Sequence, residues 1–185
     1  VDRVFEDQHA IADPERQAKL VIVDPRLVPK MAALDPELMT GLPPHITAAT
    51  GIDALTHAVE AYVGNWKTPY SDGMALSAVG MIFENLPIAY REGANLQARE
   101  KMALASTSAG FAFTRANVRY VHAFAHQFGG PSHPPHGLAN AIMLWDGRWV
   151  DTQAVTATQA SPIREAIIVA VRSAPIACRD ESVRG

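Results

Sequence analysis

Four of the chain's seven histidines fall within "YVHAFAHQFGGPSHPPHG", residues 120–137. His122 and His126 stand four apart in a segment that reads as a helix, which puts both on one face. Asp53 and His57 repeat that spacing in "GIDALTH", and His136 opens another helical segment after a proline-rich loop. Three elements can thus bring oxygen and nitrogen donors to one point. The same device, two ligands four apart on a helix, lets a His-Glu-x-x-His helix bind zinc. One carboxylate among imidazoles suits Zn(II), Fe(II) or another late divalent ion, and does not suit calcium or magnesium.

Each pair taken alone has a plainer reading. Asp53/His57 is equally a surface pair supporting its helix. His122/His126 is equally a pair of hydrogen-bonding core histidines. His136 before Gly137 is equally a helix-start residue. Glu60 shares the face of Asp53 and His57, and the sequence favours a solvated charge there over a partner to the site. His133 reads as a loop residue, and the isolated His9 and His45 are assigned no role.

The elements that must position these residues follow from punctuation and periodicity. "KLVIVD" and "KMAALD" are short apolar runs ended by Asp-Pro, which read as buried strands closing a sheet. From "DPELMTGLPP" onward the chain reads helical. In "AATGIDALTHAVEAYV", Thr47 is the expected N-cap and Gly64 the expected stop, with Ile52, Leu55, Val59 and Tyr62 as the core stripe. Asp53 and His57 face away from that stripe. "AREKMALASTSAGFAF" is small-residue-rich and apolar nearly all round after Lys101, as in a helix buried in a bundle. "NVRYVHAFAHQF" is a helix capped by Asn117 and stopped by Gly129-Gly130, and "HGLANAIML" starts another. After Leu144 the texture changes, with one potential helix around "IREAIIVAV".

Composition excludes more than it selects. A chain of 185 residues suits one domain, or one with part of another. A net charge of −3 gives no basic field for nucleic acid or anionic lipid. No apolar run is long enough to span a bilayer, and no cationic start leads into an apolar run. Cys178 is the single cysteine, so no internal disulfide forms, and a cytoplasmic protein is the expectation. There is no Gly-x-Ser-x-Gly elbow, Gly-x-Gly-x-x-Gly loop or Walker loop.

"ALDPELMTGLPPHITAATGIDALTHAVEAYV" and "NVRYVHAFAHQFGGPSHPPHGLANAIML" resemble the iron-containing (group III) alcohol dehydrogenases, over about Asp24 to Leu144. The resemblance implies that Asp53, His57, His122 and His136 are the metal ligands. It implies that His126 is an extra active-site histidine near nicotinamide and substrate, able to relay a proton. It also implies the fold, a mainly α helical bundle of the dehydroquinate synthase-like type preceded by remnant strands of an α/β nucleotide-binding domain. The matching division is 1–36 for the end of the nucleotide-binding domain, 37–144 for an incomplete helical metal-binding catalytic domain, and 145–185 for a divergent tail. The implied activity is hydride transfer between an alcohol and NAD or NADP, with Fe(II), or alternatively Zn(II), at the site. The implied partner is a small alcohol or aldehyde, with no nucleic acid and no membrane, in a homo-oligomer for an intact member.

Departures from the pattern shape a second reading. The glycine-rich cofactor loop is missing, Arg119 stands where glycine is expected, and the text after Leu144 differs. These favour, as the alternative, a metal-binding remnant or module without dehydrogenase activity, and a chain that by itself does not turn over alcohol. A glycerol dehydrogenase or dehydroquinate synthase relative is a third reading, disfavoured because those use three protein ligands and four are matched here.

Overall fold

The computed structural model describes residues 8–13, 18–24, 26, 28–116, 120–128 and 136–145. Strands β1 (Gln8–Asp13) and β2 (Ala18–Val23) form an antiparallel pair, with Gln8 opposite Val23 and Asp13 opposite Ala18. β2 is the strand expected at "KLVIVD". "KMAALD" is not a strand: among the described residues it has no ladder partner, and Met31 is 86% exposed. Flanking prolines, Pro29 and Pro36, leave it an extended connector. A short 3₁₀ turn, Pro36–Met39, follows, capped by the Asp35 carboxylate, which accepts from Glu37 N–H at 2.9 Å.

Among the described residues five helices follow: α1 (Pro44–Tyr62), α2 (Pro69–Arg91), α3 (Leu96–Ala116), α4 (Tyr120–Phe128) and α5 (His136–Trp145). The first three pack on one another. Their contact faces are rich in alanine, including Ala54, Ala58, Ala75, Ala78, Ala105 and Ala109, all buried. Such small side chains let helix axes approach closely, while Leu55, Val59, Ile82 and Phe113 fill the space between.

α1 begins three residues before the expected cap. Pro44 occupies its first turn, where a proline's fixed φ suits a helix and its missing N–H costs nothing. Thr47 therefore lies inside the helix, and its buried hydroxyl accepts from Arg99 Nη1 at 2.8 Å. Arg99 also donates to the Gly93 and Leu42 carbonyls at 2.9 and 3.3 Å, tying α3 to the α2–α3 connection and to the segment that leads into α1. At the other end, Val63 N–H closes on the Val59 carbonyl and Gly64 follows, as expected. α2 is an element the motif reading did not single out. Its start was visible in Thr68-Pro69-x-Ser71: the Thr68 hydroxyl accepts from Ser71 N–H at 3.2 Å while Ser71 Oγ accepts from Thr68 N–H at 2.8 Å.

The expected stripe on α1 is present. Leu55 and Val59 are buried, and Ile52 and Tyr62 pack against the core. The opposite face is buried too, because α5 packs along α1 and α4 packs on α5. Gly137 makes that approach possible. A Cβ there would overlap the Ala49 carbonyl and lie 2.9 Å from Ala49 Cα. The expected Asn117 cap, Arg119, the Gly129-Gly130 stop and the tail after Trp145 lie outside the described residues.

Candidate metal centre

Asp53, His57 and Glu60 occupy positions i, i+4 and i+7 of α1, one stripe on the side away from the core. All three are nearly inaccessible, at 7%, 4% and 3% exposure. α4 contributes His122 and α5 contributes His136 and Asn140, one turn apart.

Three of the expected ligands converge tightly. Single donor atoms of Asp53, His122 and His136 all lie within 4.8 Å of one another. Asp53 Oδ1 is 3.4 Å from His122 Nε2 and 3.6 Å from His136 Nε2. His57 stands at the same place without joining that mutual set. Its Nε2 is 3.8 Å from the other carboxylate oxygen, Oδ2, and its ring stacks on His122 with centroids 4.2 Å apart. Phe113 of α3 backs the His57 ring at 4.9 Å. His126 follows His122 by one turn on α4, and its side chain lies outside the described residues, as does His133. His45 is exposed.

Glu60 corrects the sequence reading. It is not a solvated charge: Oε1 accepts from Val121 N–H at 2.7 Å, and Oε2 is 2.6 Å from His122 Nδ1. A carboxylate on Nδ1 fixes the imidazole so that Nε2 points at Asp53, the arrangement that orients metal-binding histidines in general. The only signal in the sequence was Glu60's shared face with His57. Its partner lies 62 positions away, beyond any local pattern. Replacement by the isosteric Gln should weaken ion binding about 10–100-fold, read by competition with a chelating dye. Unchanged affinity in a folded Glu60→Gln protein would mean that His122 is oriented by something else.

Asn140 was missed altogether, although it sits four residues after His136. It is fully buried, and its Nδ2 donates to Asp53 Oδ1 and lies 3.3 Å from both His122 Nε2 and His136 Nε2.

The charges are mutually perturbing. Burial alone would raise the Asp53 pKa, but the His122 hydrogen bond and the charges of His57, His122 and His136 hold it well below the usual carboxylate range. Burial pulls His122 down, yet Asp53 and Glu60 outweigh it and lift the ring to about 9. Two carboxylates that draw a proton onto a buried imidazole present the field that a divalent cation would satisfy better. The donor set, one carboxylate with imidazole nitrogens in a buried cluster, fits a late divalent ion.

Comparison with known proteins extends this picture. Residues 47–170 match the family model described as "Fe-containing alcohol dehydrogenase family, C-terminal", taking in part of the segment after Leu144. The chain is 52% identical over 134 residues to the 1,3-propanediol dehydrogenase of Klebsiella pneumoniae, covering 72% of this chain and 35% of that protein. The crystal structure of a 1,3-propanediol oxidoreductase superposes with a TM-score of 0.80 at 38% identity, over 93% of this chain and 50% of the other. The sulfoacetaldehyde reductase of Bifidobacterium kashiwanohense, solved with NAD+, superposes with a TM-score of 0.81 at 31% identity, over 91% and 48%. The chain thus spans about a third of the length of the curated relative and half that of the solved structures.

Proposed function

Because this chain belongs to the Fe-containing alcohol dehydrogenase family, we propose that it supplies the metal-binding half of an oxidoreductase that moves a hydride between a primary alcohol and NAD or NADP. The observation that carries the proposal is the convergence of buried Asp53 and His122 with half-buried His136, and with His57 stacked on His122. In this reading residues 37–144 form the metal-binding unit, residues 1–36 the end of a nucleotide-binding domain, and residues 145–185 a divergent tail of which the part up to residue 170 still falls within the family match. Asp53, His57, His122 and His136 hold Fe(II), or Zn(II) in its place.

The ion that Asp53, His57, His122 and His136 would hold would supply Lewis acidity to an alcohol hydroxyl, with nicotinamide as the hydride acceptor when bound. The chain's own residues supply placement. Glu60 holds His122 Nδ1, so that its Nε2 lone pair stays aimed inward. Phe113 and the Ala-rich core behind α1 keep bulk water off the His57 ring. His126, for which the family resemblance implies a position near the substrate, would take up the hydroxyl proton on its imidazole.

The test has two arms. In the purified chain, Zn(II) or anaerobic Fe(II) should bind one to one; His57→Ala should weaken binding steeply, and His45→Ala should leave it unchanged. In the second arm, residues 37–144 replace the matching segment of the Klebsiella pneumoniae 1,3-propanediol dehydrogenase. This chimera should reduce NAD or NADP with primary alcohols in a metal-dependent way. A chimera that folds, binds metal and cofactor, and shows no turnover above its His57→Ala control would leave the metal-binding module as the better reading.

A further inference from the structure

We propose that Asn140 is a positioning residue of the metal centre, setting the orientation of the Asp53 carboxylate through its amide nitrogen; the proposal rests on the ion-binding reading above.

Asn140 projects from α5 one turn after His136, so the helix that delivers one ligand also delivers this amide. Its side chain is completely buried. Asp53 Oδ1 accepts from Nδ2, and His122 Nε2 and His136 Nε2 lie beside it. An amide nitrogen carries two hydrogens. The closest contact is to Asp53, and the two imidazole nitrogens stand farther off, each at 3.3 Å. The carboxylate bond is therefore the one the amide satisfies first.

The amide's direction follows from the same geometry. Turned over, Asn140 would set its carbonyl lone pairs against those of the Asp53 carboxylate, its nearest neighbour. The nitrogen must face inward, even though Oδ1 then has no hydrogen-bond partner among the described residues. A buried polar atom left that way is uncommon in native proteins, and it marks a side chain held for what its other end does.

The consequence lies in the torsion of Asp53. A terminal carboxylate torsion is broad and nearly two-fold, so little in the side chain itself selects an orientation. With Asn140 on Oδ1, that oxygen stays beside His122 and His136, and Oδ2 turns to His57. One carboxylate is thereby shared between the ligands of α4 and α5 on one side and the second ligand of α1 on the other.

The probe is Co(II), whose visible bands report ligand geometry. Asn140→Leu keeps the branched outline, though it is bulkier, and removes both amide hydrogens; Asn140→Ala removes the side chain should the leucine not pack. Leu144→Ala, one turn further along α5 and buried, serves as a packing control. Both Asn140 variants are expected to bind Co(II) about 10–100-fold more weakly, with shifted band energies or intensities. Leu144→Ala should lower the melting temperature and leave the Co(II) spectrum as in wild type. Wild-type affinity and an unaltered spectrum in a folded Asn140 variant would overturn the proposal, as would an equal spectral change in Leu144→Ala. A wild-type chain that takes up no Co(II) would instead overturn the ion-site reading itself, and this role with it.

Discussion

Asp53→Asn is expected to abolish tight ion binding while leaving the helices in place. The isosteric amide keeps the volume, but it removes the negative charge around which three histidines are arranged at 3.4–3.8 Å. Residues one shell out from a metal cost about 10–100-fold when replaced, and a ligand at the hub should exceed that range. Chelator competition or metal analysis after gel filtration reads the loss. A fall of under about tenfold would place the ion elsewhere. The same substitution should change how stability depends on pH with a chelator present. His122 is raised from an ordinary 6.5 to about 9. It therefore adds stability that is fully present below about pH 6.5 and disappears as pH climbs through about 9. A shift of that size is worth about 3 kcal/mol at most. Asp53, shifted the other way, adds stability that is present above its ordinary range and lost in acid. Asp53→Asn should flatten both slopes, which urea unfolding at pH 5, 7 and 9 would measure.

Gly137→Ala should be nearly as damaging, for a steric reason. In an exposed helix this change gains up to about 1 kcal/mol from propensity. Here the added methyl would run into the backbone of α1 at Ala49, and a helix backbone cannot swing aside as a side chain does. α5 must lift away, at about 1–3 kcal/mol or more, carrying His136 and Asn140 from the centre. A lower melting point and at least a tenfold loss in ion affinity are expected together, about the range seen when the support of a ligand is removed. Gly51→Ala is the comparison. The three atoms nearest its added methyl all belong to the Leu86 side chain, which can repack, so its cost should be smaller and ion binding should persist. Equal effects from the two substitutions would mean that the α1–α5 approach is not what limits the site.

The parts legible in the sequence were those a helix encodes locally. The i, i+4 spacing of Asp53 and His57 put both on one face of α1. His122 and His136 were marked by residue type and by the proline-rich break between them. The apolar stripe Leu55–Val59 and the strand at "KLVIVD" were visible through periodicity and flanking punctuation. Where a local signal misled, a nearby proline or a distant partner had decided the matter. "KMAALD" has strand-like composition but found no ladder to join. Thr47 has the chemistry of a cap, yet Pro44 began the helix first and Arg99 took its hydroxyl.

The donor types and their helical spacing were thus the sequence's own contribution, because a 3.6-residue repeat is set by the backbone within one turn. Everything that makes those donors a centre came from tertiary structure. Glu60 becomes a partner to the site only because Val121 and His122, 61 and 62 positions away, cover it. Asn140 reaches Asp53 across 87 positions, and only after Gly137 has let α5 settle on α1. Burial then turns these polar groups into strongly coupled ones, since charges and hydrogen bonds interact far more strongly once water is excluded.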